Sequence, residues 1–277
     1  MKTAPVNRII PMSVVDGPGS RTAVFLQGCN IACAYCHNPE TQKLCCGCGL
    51  CVAECPAGAL SMTGKGVRWE EELCTGCDTC IHVCPHRASP KVKEMSAEAV
   101  FREIERNRPF IRGITVSGGE CSLYPEFLTE LFGLARETGL TCLMDSNGMV
   151  DLSEYPELLN VCDGVMLDVK SWNPDVYRKL TGGDNQVVLQ NLDLLAENGL
   201  LTEVRIVCKP DVVDAESAIQ GIAERLRGNL DFRLKLIAFR PYGVKGWMQN
   251  MEPPSQEYME ELAALARTCG FCDIIIT

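Results

Sequence analysis

From Met95 onward the apolar positions alternate between two spacings. Ser96 can cap a helix that runs through Ile104, with Glu98 and Glu103 among its polar positions. Ile111–Val116 then reads as a short apolar strand ending in Ser117-Gly118-Gly119-Glu120. Beyond Pro125, residues Phe127, Leu128, Leu131, Phe132 and Ala135 fall at helical spacing. Leu140–Met144 and Gly164–Leu167 are further strands, ending in Asp145-Ser146-Asn147-Gly148 and Asp168-Val169-Lys170. Later units comprise Leu201–Val207, a helix near Ala215–Leu226, a strand at Arg233–Ala238 and a last helix near Ser255–Thr268. Short strands separated by helical stretches predict an α/β fold with a parallel sheet. An earlier apolar run, Ala23-Val24-Phe25-Leu26, lies between a turn, Asp16-Gly17-Pro18-Gly19, and a group of cysteines.

The chain has 277 residues, room for one large domain with a small insertion. An apolar content of 46% supports a sizeable core, and the net charge of −10 argues against nucleic acid as a partner. No stretch approaches the ~18 uninterrupted apolar residues of a membrane helix. Eighteen cysteines would suggest disulfides in a short secreted chain. Here the N-terminus lacks a signal-peptide pattern, so the cysteines read as metal ligands in a reducing, anaerobic cytoplasm.

Cys29, Cys33 and Cys36 stand in a C-x3-C-x2-C spacing. Three thiolates can hold three irons of a [4Fe–4S] cube and leave the fourth iron open to a substrate. Zinc is the rival ligand, but a structural zinc site needs four donors in a closed tetrahedron, and His37 directly follows Cys36. Buried free thiols are a second alternative, and Tyr35 reads equally as a core aromatic.

A separate block spans residues 44–90. Cys45, Cys48, Cys51 and Cys55 form a C-x2-C-x2-C-x3-C-P run, which Cys74, Cys77, Cys80 and Cys84 repeat. In two-cluster ferredoxins the fourth cysteine of each run ligates the other cluster. One cluster therefore takes Cys45, Cys48, Cys51 and Cys84, and the other Cys74, Cys77, Cys80 and Cys55, with Cys46 left over. Neither has an open iron, so electron transfer is the expected role, with a structural or docking role as the alternative. Zinc knuckles fit the C-x3-C-P step poorly.

The loop Gly28-Cys29-Asn30-Ile31-Ala32-Cys33-Ala34-Tyr35-Cys36-His37-Asn38 resembles that of radical S-adenosylmethionine (SAM) enzymes. Together with Val15-Asp16-Gly17-Pro18-Gly19-Ser20-Arg21 and the twin cysteine runs, it is similar to the glycyl-radical-enzyme activating family, most closely its YjjW-type members. The resemblance implies a partial (β/α)6 barrel of the radical SAM type over residues 1–43 and 91–277, with a ferredoxin-like 2x[4Fe–4S] insertion over 44–90. It also implies SAM as cofactor, cleaved reductively to a 5′-deoxyadenosyl radical that takes a hydrogen atom from a backbone glycine of a partner enzyme. A radical SAM enzyme acting on a small molecule is the alternative. The implied partners are a glycyl radical enzyme and a low-potential electron donor such as flavodoxin or ferredoxin, with this chain a monomer.

The same resemblance assigns residues. Cys29, Cys33 and Cys36 hold the open cluster, Asp16 contacts the protein substrate, and Tyr35 lies against the adenine. Gly118, Gly119 and Glu120 match a G-G-E motif whose backbone receives the methionyl ammonium. Asp145, Ser146 and Asn147 match D-T-N-G, with Ser for Thr. Asp145, Ser146, Met166 and Asp168 can enclose a monovalent cation, and oxygen donors suit a hard ion. Lys170 and Arg205 are placed near the cofactor carboxylate, although each of these polar groups can equally be an ordinary strand-end residue. Arg240 stands where the family often has a histidine, and an arginine cannot exchange a proton near neutral pH. Cys121, Cys142, Cys162, Cys208, Cys269 and Cys272 read as buried small hydrophobes.

Overall fold

The apolar runs become the middle of one sheet. A computed structural model describes residues 2–277. Strand β1 (Thr3–Ser13) turns through residues 14–20 into β2 (Arg21–Leu26). A two-stranded hairpin follows, β3 (Leu60–Thr63) with β4 (Gly66–Trp69), then a four-residue helix α1 (Thr79–His82). Next come β5 (Lys93–Ser96), α2 (Ala97–Glu105), β6 (Gly113–Gly118), α3 (Pro125–Glu137), β7 (Thr141–Ser146) and α4 (Pro156–Val161). The chain ends with β8 (Gly164–Asp168), α5 (Pro174–Thr181), α6 (Gln186–Glu197), β9 (Leu201–Cys208), α7 (Ala215–Leu226), β10 (Arg233–Ala238), α8 (Gln256–Thr268) and β11 (Ile274–Ile276).

Nine strands form a sheet in the order β11-β10-β9-β8-β7-β6-β2-β1-β5. Neighbours from β2 through β11 are parallel, whereas β1 pairs antiparallel with both β2 and β5. The sheet is thus open and mixed, with its antiparallel edge beside the turn that carries Asp16. Parallel strands covered on both faces read as continuous apolar runs, as in Val165-Met166-Leu167, all fully buried. Phe127, Leu128, Leu131 and Phe132 of α3 enter the main core, each such side chain contributing ~1.5–3 kcal/mol on burial. Ser96 caps α2 by accepting from the amide of Ala99 at 3.3 Å, the role its sequence position predicts.

Several boundaries differ from expectation. Strand β6 begins at Gly113 rather than Ile111, and β6, β7 and β8 extend into the polar motifs to include Gly118, Ser146 and Asp168. The Asp-Gly-Pro-Gly turn joins β1 to β2; it does not precede the first strand. Cys272 is exposed and Cys269 half-buried, so only four of the six spare thiols are core residues. Residues between the cysteine runs contribute the β3–β4 hairpin, and Leu60, Val67 and Trp69 from it pack with Cys51, Val52, Cys55, Cys80 and Ile81 of the runs in a very small cluster. Among the described residues no helix is long and apolar enough to cross a membrane.

Candidate active site

The C-terminal ends of the parallel strands open into a cavity of about 370 Å³. In α/β barrels and related sheets this end carries the functional groups. Cys29, Cys33, Tyr35, Cys36 and Asp16 line it together with Gly118, Gly119, Glu120, Asp145, Ser146, Asn147, Asp168, Lys170 and Arg205. Arg240 is the exception: its side chain is exposed, and only its carbonyl approaches the site, accepting from Nε2 of His37 at 3.2 Å. His37 is thereby turned to the backbone, and no fourth cysteine lines the cavity.

The cysteine loop leaves β2 and is held by backbone bonds from two sides. The amide of Cys29 donates to the carbonyl of Gln42 at 2.8 Å, and those of Ala32 and Ala34 donate to Thr181 and Leu180 at 2.9 and 2.7 Å. Burial pushes the thiol of Cys29 up to about 11 and that of Cys33 up to about 12, and raises Cys36 as well. Metal binding must therefore displace these protons, because the thiolate is the ligand.

Behind the loop stands a charged network. Burial disfavours the ammonium of Lys170, but the attraction of Asp168, Cys33 and Tyr35 outweighs it and holds the group above its ordinary range. Nζ of Lys170 lies 2.6 Å from Oδ2 of Asp168 and 5.9 Å from the Tyr35 ring centroid. Arg205 faces inward: Nη1 is 2.8 Å from Oδ1 of Asp145, and Nε donates to Oε1 of Glu203 at 2.5 Å. Asp145 also accepts from Ser117 Oγ at 2.9 Å, while burial, opposed by Arg205, pushes its carboxyl up. Tyr35 is buried among Leu180, Val213, Phe239, Val244 and Met248, and its hydroxyl has no partner.

Glu120 has a role that its place in the motif did not reveal. It is fully buried, and burial raises its carboxyl. Oε1 accepts from the amide and hydroxyl of Ser122 at 3.0 and 2.6 Å and from Ser146 Oγ at 2.8 Å. Oε2 accepts from the amide of Asn147 at 2.6 Å. The side chain thus ties the loop after β6 to the loop after β7. These contacts span 26 and 27 residues, so no local sequence signal could have found them.

Residues 44–91 line two further cavities. One is lined by Cys55, Cys74, Cys77 and Cys80 with Trp69, Asp78 and Lys91, and the indole N–H of Trp69 is buried without a partner. The other is lined by Cys45, Cys46, Cys48, Cys51 and Cys84. Each brings three cysteines of one run together with the fourth of the other.

The profile of the radical SAM superfamily matches residues 23–219. A Haemophilus influenzae protein, provisionally named a glycyl-radical enzyme activating enzyme, is 30% identical over 98% of this chain and 95% of its own length. The choline trimethylamine-lyase activating enzyme of Oleidesulfovibrio alaskensis is 32% identical over 84% of this chain and 82% of its own. The crystal structure of QueE from Escherichia coli superposes with a TM-score of 0.56 at 14% identity, covering 99% of this chain and 94% of that one, a likeness of fold.

Proposed function

Because the chain belongs to the radical SAM superfamily and, within it, to the glycyl-radical enzyme activating enzymes, we propose that it removes a hydrogen atom from a backbone glycine of a partner enzyme. The observation that carries this reading is the convergence of three cysteines, with no fourth, on a cavity lined by the Gly-Gly-Glu, Asp-Ser-Asn and Asp-x-Lys motifs. Three half-buried thiols lining one cavity suit a [4Fe–4S] cluster with an open iron. When bound, that cluster supplies the electron that cleaves SAM to methionine and a 5′-deoxyadenosyl radical.

The chain's own residues bind and orient. Lys170 keeps its proton and presents a cation to a carboxylate, with Arg205 behind it and already bound to Asp145. Gly118 and Gly119 lie where side chains would overlap the backbones of Leu26 and Gly28, so the end of β6 packs directly against the start of the cysteine loop. The ring of Tyr35, which lines the cavity, offers a flat wall for the adenosine moiety. Asp16 lies at the same cavity on the β1–β2 turn and is our candidate contact to the glycine-bearing segment. Arg240 is left without a ligand-binding role. A monovalent cation among Asp145, Ser146, Met166 and Asp168 would share the two carboxylates with Arg205 and Lys170 and use the lone pairs of the Ser146 hydroxyl, whose proton goes to Glu120.

Residues 44–90 are read as a ferredoxin-like insertion between two parts of a partial barrel, and the two crossed cysteine sets support two [4Fe–4S] clusters there. These would pass electrons from a flavodoxin or ferredoxin toward the site in a monomeric, cytoplasmic enzyme. The YjjW-type assignment rests on the motifs alone. The test is anaerobic mixing with a candidate glycyl radical enzyme, SAM and a reductant. We expect an organic radical on the partner by electron paramagnetic resonance, with methionine and 5′-deoxyadenosine as products. Cofactor cleavage that never yields a radical on any candidate partner would overturn the reading in favour of a small-molecule substrate.

A further inference from the structure

The side chain of Asn147 has a single orientation. Its Oδ1 accepts from the amide of Met149 at 2.9 Å, so its two amide hydrogens point the other way. On that side Nδ2 meets two acceptors: Oδ1 of Asn30 at 2.9 Å and Sγ of Cys29 at 3.6 Å. The residue is buried, and its backbone is fixed by the bond from its amide to Glu120. Glu120 is itself fixed to the cysteine loop through its own amide, which donates to the carbonyl of Gly28 at 2.7 Å. The donor and the sulfur are therefore held in one rigid unit.

We infer that the amide of Asn147 donates an N–H···S bond to the Cys29 thiolate and thereby raises the reduction potential of the site cluster, with Glu120 as the positioning residue behind it. The inference rests on reading Cys29 as a ligand of a three-cysteine cluster. Hydrogen bonds to ligand sulfur draw electron density from the thiolate and favour the reduced, more negative cluster. The donor count supports the assignment. Asn147 has two hydrogens and two acceptors, and a buried donor left unpaired costs ~1–3 kcal/mol. In the insertion, the Cys45 thiol is served by the amide of Gly47 at 3.4 Å, a backbone donor that substitution cannot remove. Cys29 also feels the backbone amide of Ile31, but its second donor is a side chain from a loop 118 residues away, which can be removed by itself.

The experiment is a redox titration of the anaerobically reconstituted protein followed by electron paramagnetic resonance. Subtracting the spectrum of Cys33→Ala, which removes a site ligand, isolates the site signal. Asn147→Ala should shift the site midpoint to more negative potential and remove a coupling to asparagine side-chain 15N that wild type labelled with 15N-asparagine shows. Asn191→Ala is the control, because Asn191 braces the same loop from behind, donating to Gly148 and Val150 at 2.9 and 2.7 Å, without touching sulfur. An unchanged midpoint in Asn147→Ala, or an equal shift in Asn191→Ala, overturns the inference. If Asn147→Ala fails to take up the cluster, the asparagine side-chain 15N coupling of wild type decides by itself, and its absence is fatal. Wild type that saturates near eight irons with no site signal would overturn the three-cysteine reading instead.

Discussion

The amide of Glu120 donates to the carbonyl of Gly28 at 2.7 Å, joining the loop after β6 to the residue before Cys29. Gly119 makes this approach possible, since a Cβ there would overlap the same carbonyl oxygen and the backbone of Thr41. Gly119→Ala should therefore push the cysteine loop out of place at a cost of ~1–3 kcal/mol, while the cysteine sets of residues 44–90, which Gly119 does not touch, keep their metal. We expect iron to fall from about twelve to about eight per chain, three cubes to two, with SAM cleavage lost. Full iron and normal cleavage in this variant would show that the contact does not shape the cluster loop.

Much of the sheet was legible because its central strands are apolar runs ended by glycine or polar residues, as in Ile114-Thr115-Val116-Ser117-Gly118. The site residues that follow those strands could be located for the same reason. Strand β1 was missed: Thr3-Ala4-Pro5-Val6-Asn7-Arg8-Ile9-Ile10-Pro11-Met12-Ser13 has two prolines and no regular alternation, and antiparallel pairing with β2 and β5 supplies what local pattern does not. Helix α5 was findable, with Asn173 as cap, Pro174 at its first position and Gly182 at its end. So was α6, through the helical spacing of Val188, Leu192 and Leu195. The inward turn of Arg205, the outward turn of Arg240 and the buried carboxylate of Glu120 depend on partners far along the chain and left no local trace.

The proposed crossed cysteine sets of residues 44–90 can be tested by pairing substitutions. Cys84→Ala alone should remove about four irons, as should Cys45→Ala alone. If Cys84 shares a cavity with Cys45, the double variant still loses about four, whereas Cys84→Ala with Cys74→Ala loses about eight. The reverse pattern would mean that each run binds its own cluster. Iron and labile sulfide analysis after anaerobic reconstitution reads the result.

Lys170→Met should weaken cofactor binding more than it weakens the fold. The Lys170–Asp168 pair has side-chain exposures of 12% and 28%, so water retains some access to the carboxylate left behind. The penalty in unfolding free energy is then nearer ~1–3 kcal/mol than that of a fully buried pair. Loss of a cation facing the cofactor carboxylate should raise the SAM dissociation constant about tenfold or more, ~1.4 kcal/mol per decade. Equilibrium dialysis without oxygen measures it, and an unchanged constant would remove Lys170 from the binding set.

Asp16 should matter only when the partner is present. Its turn is anchored from below: Thr115 Oγ1 donates to the carbonyl of Asp16 at 2.6 Å and accepts from Nε of buried Arg21 at 2.8 Å. Ser13 Oγ holds the carboxylate at 2.6 Å, and the neighbours Val14 and Val15 are 73% and 71% exposed, an apolar tip set beside the cavity. A rigid base with an exposed apolar tip suits contact with another protein. We expect Asp16→Asn to keep its iron and its affinity for SAM, because neither depends on this carboxylate. Radical on the partner per 5′-deoxyadenosine released should fall about tenfold, a loss of ~1.4 kcal/mol in coupling. The check is paired quantification of radical by spin counting and of 5′-deoxyadenosine by chromatography. If the ratio in Asp16→Asn equals that of wild type, the glycine-bearing segment is gripped elsewhere.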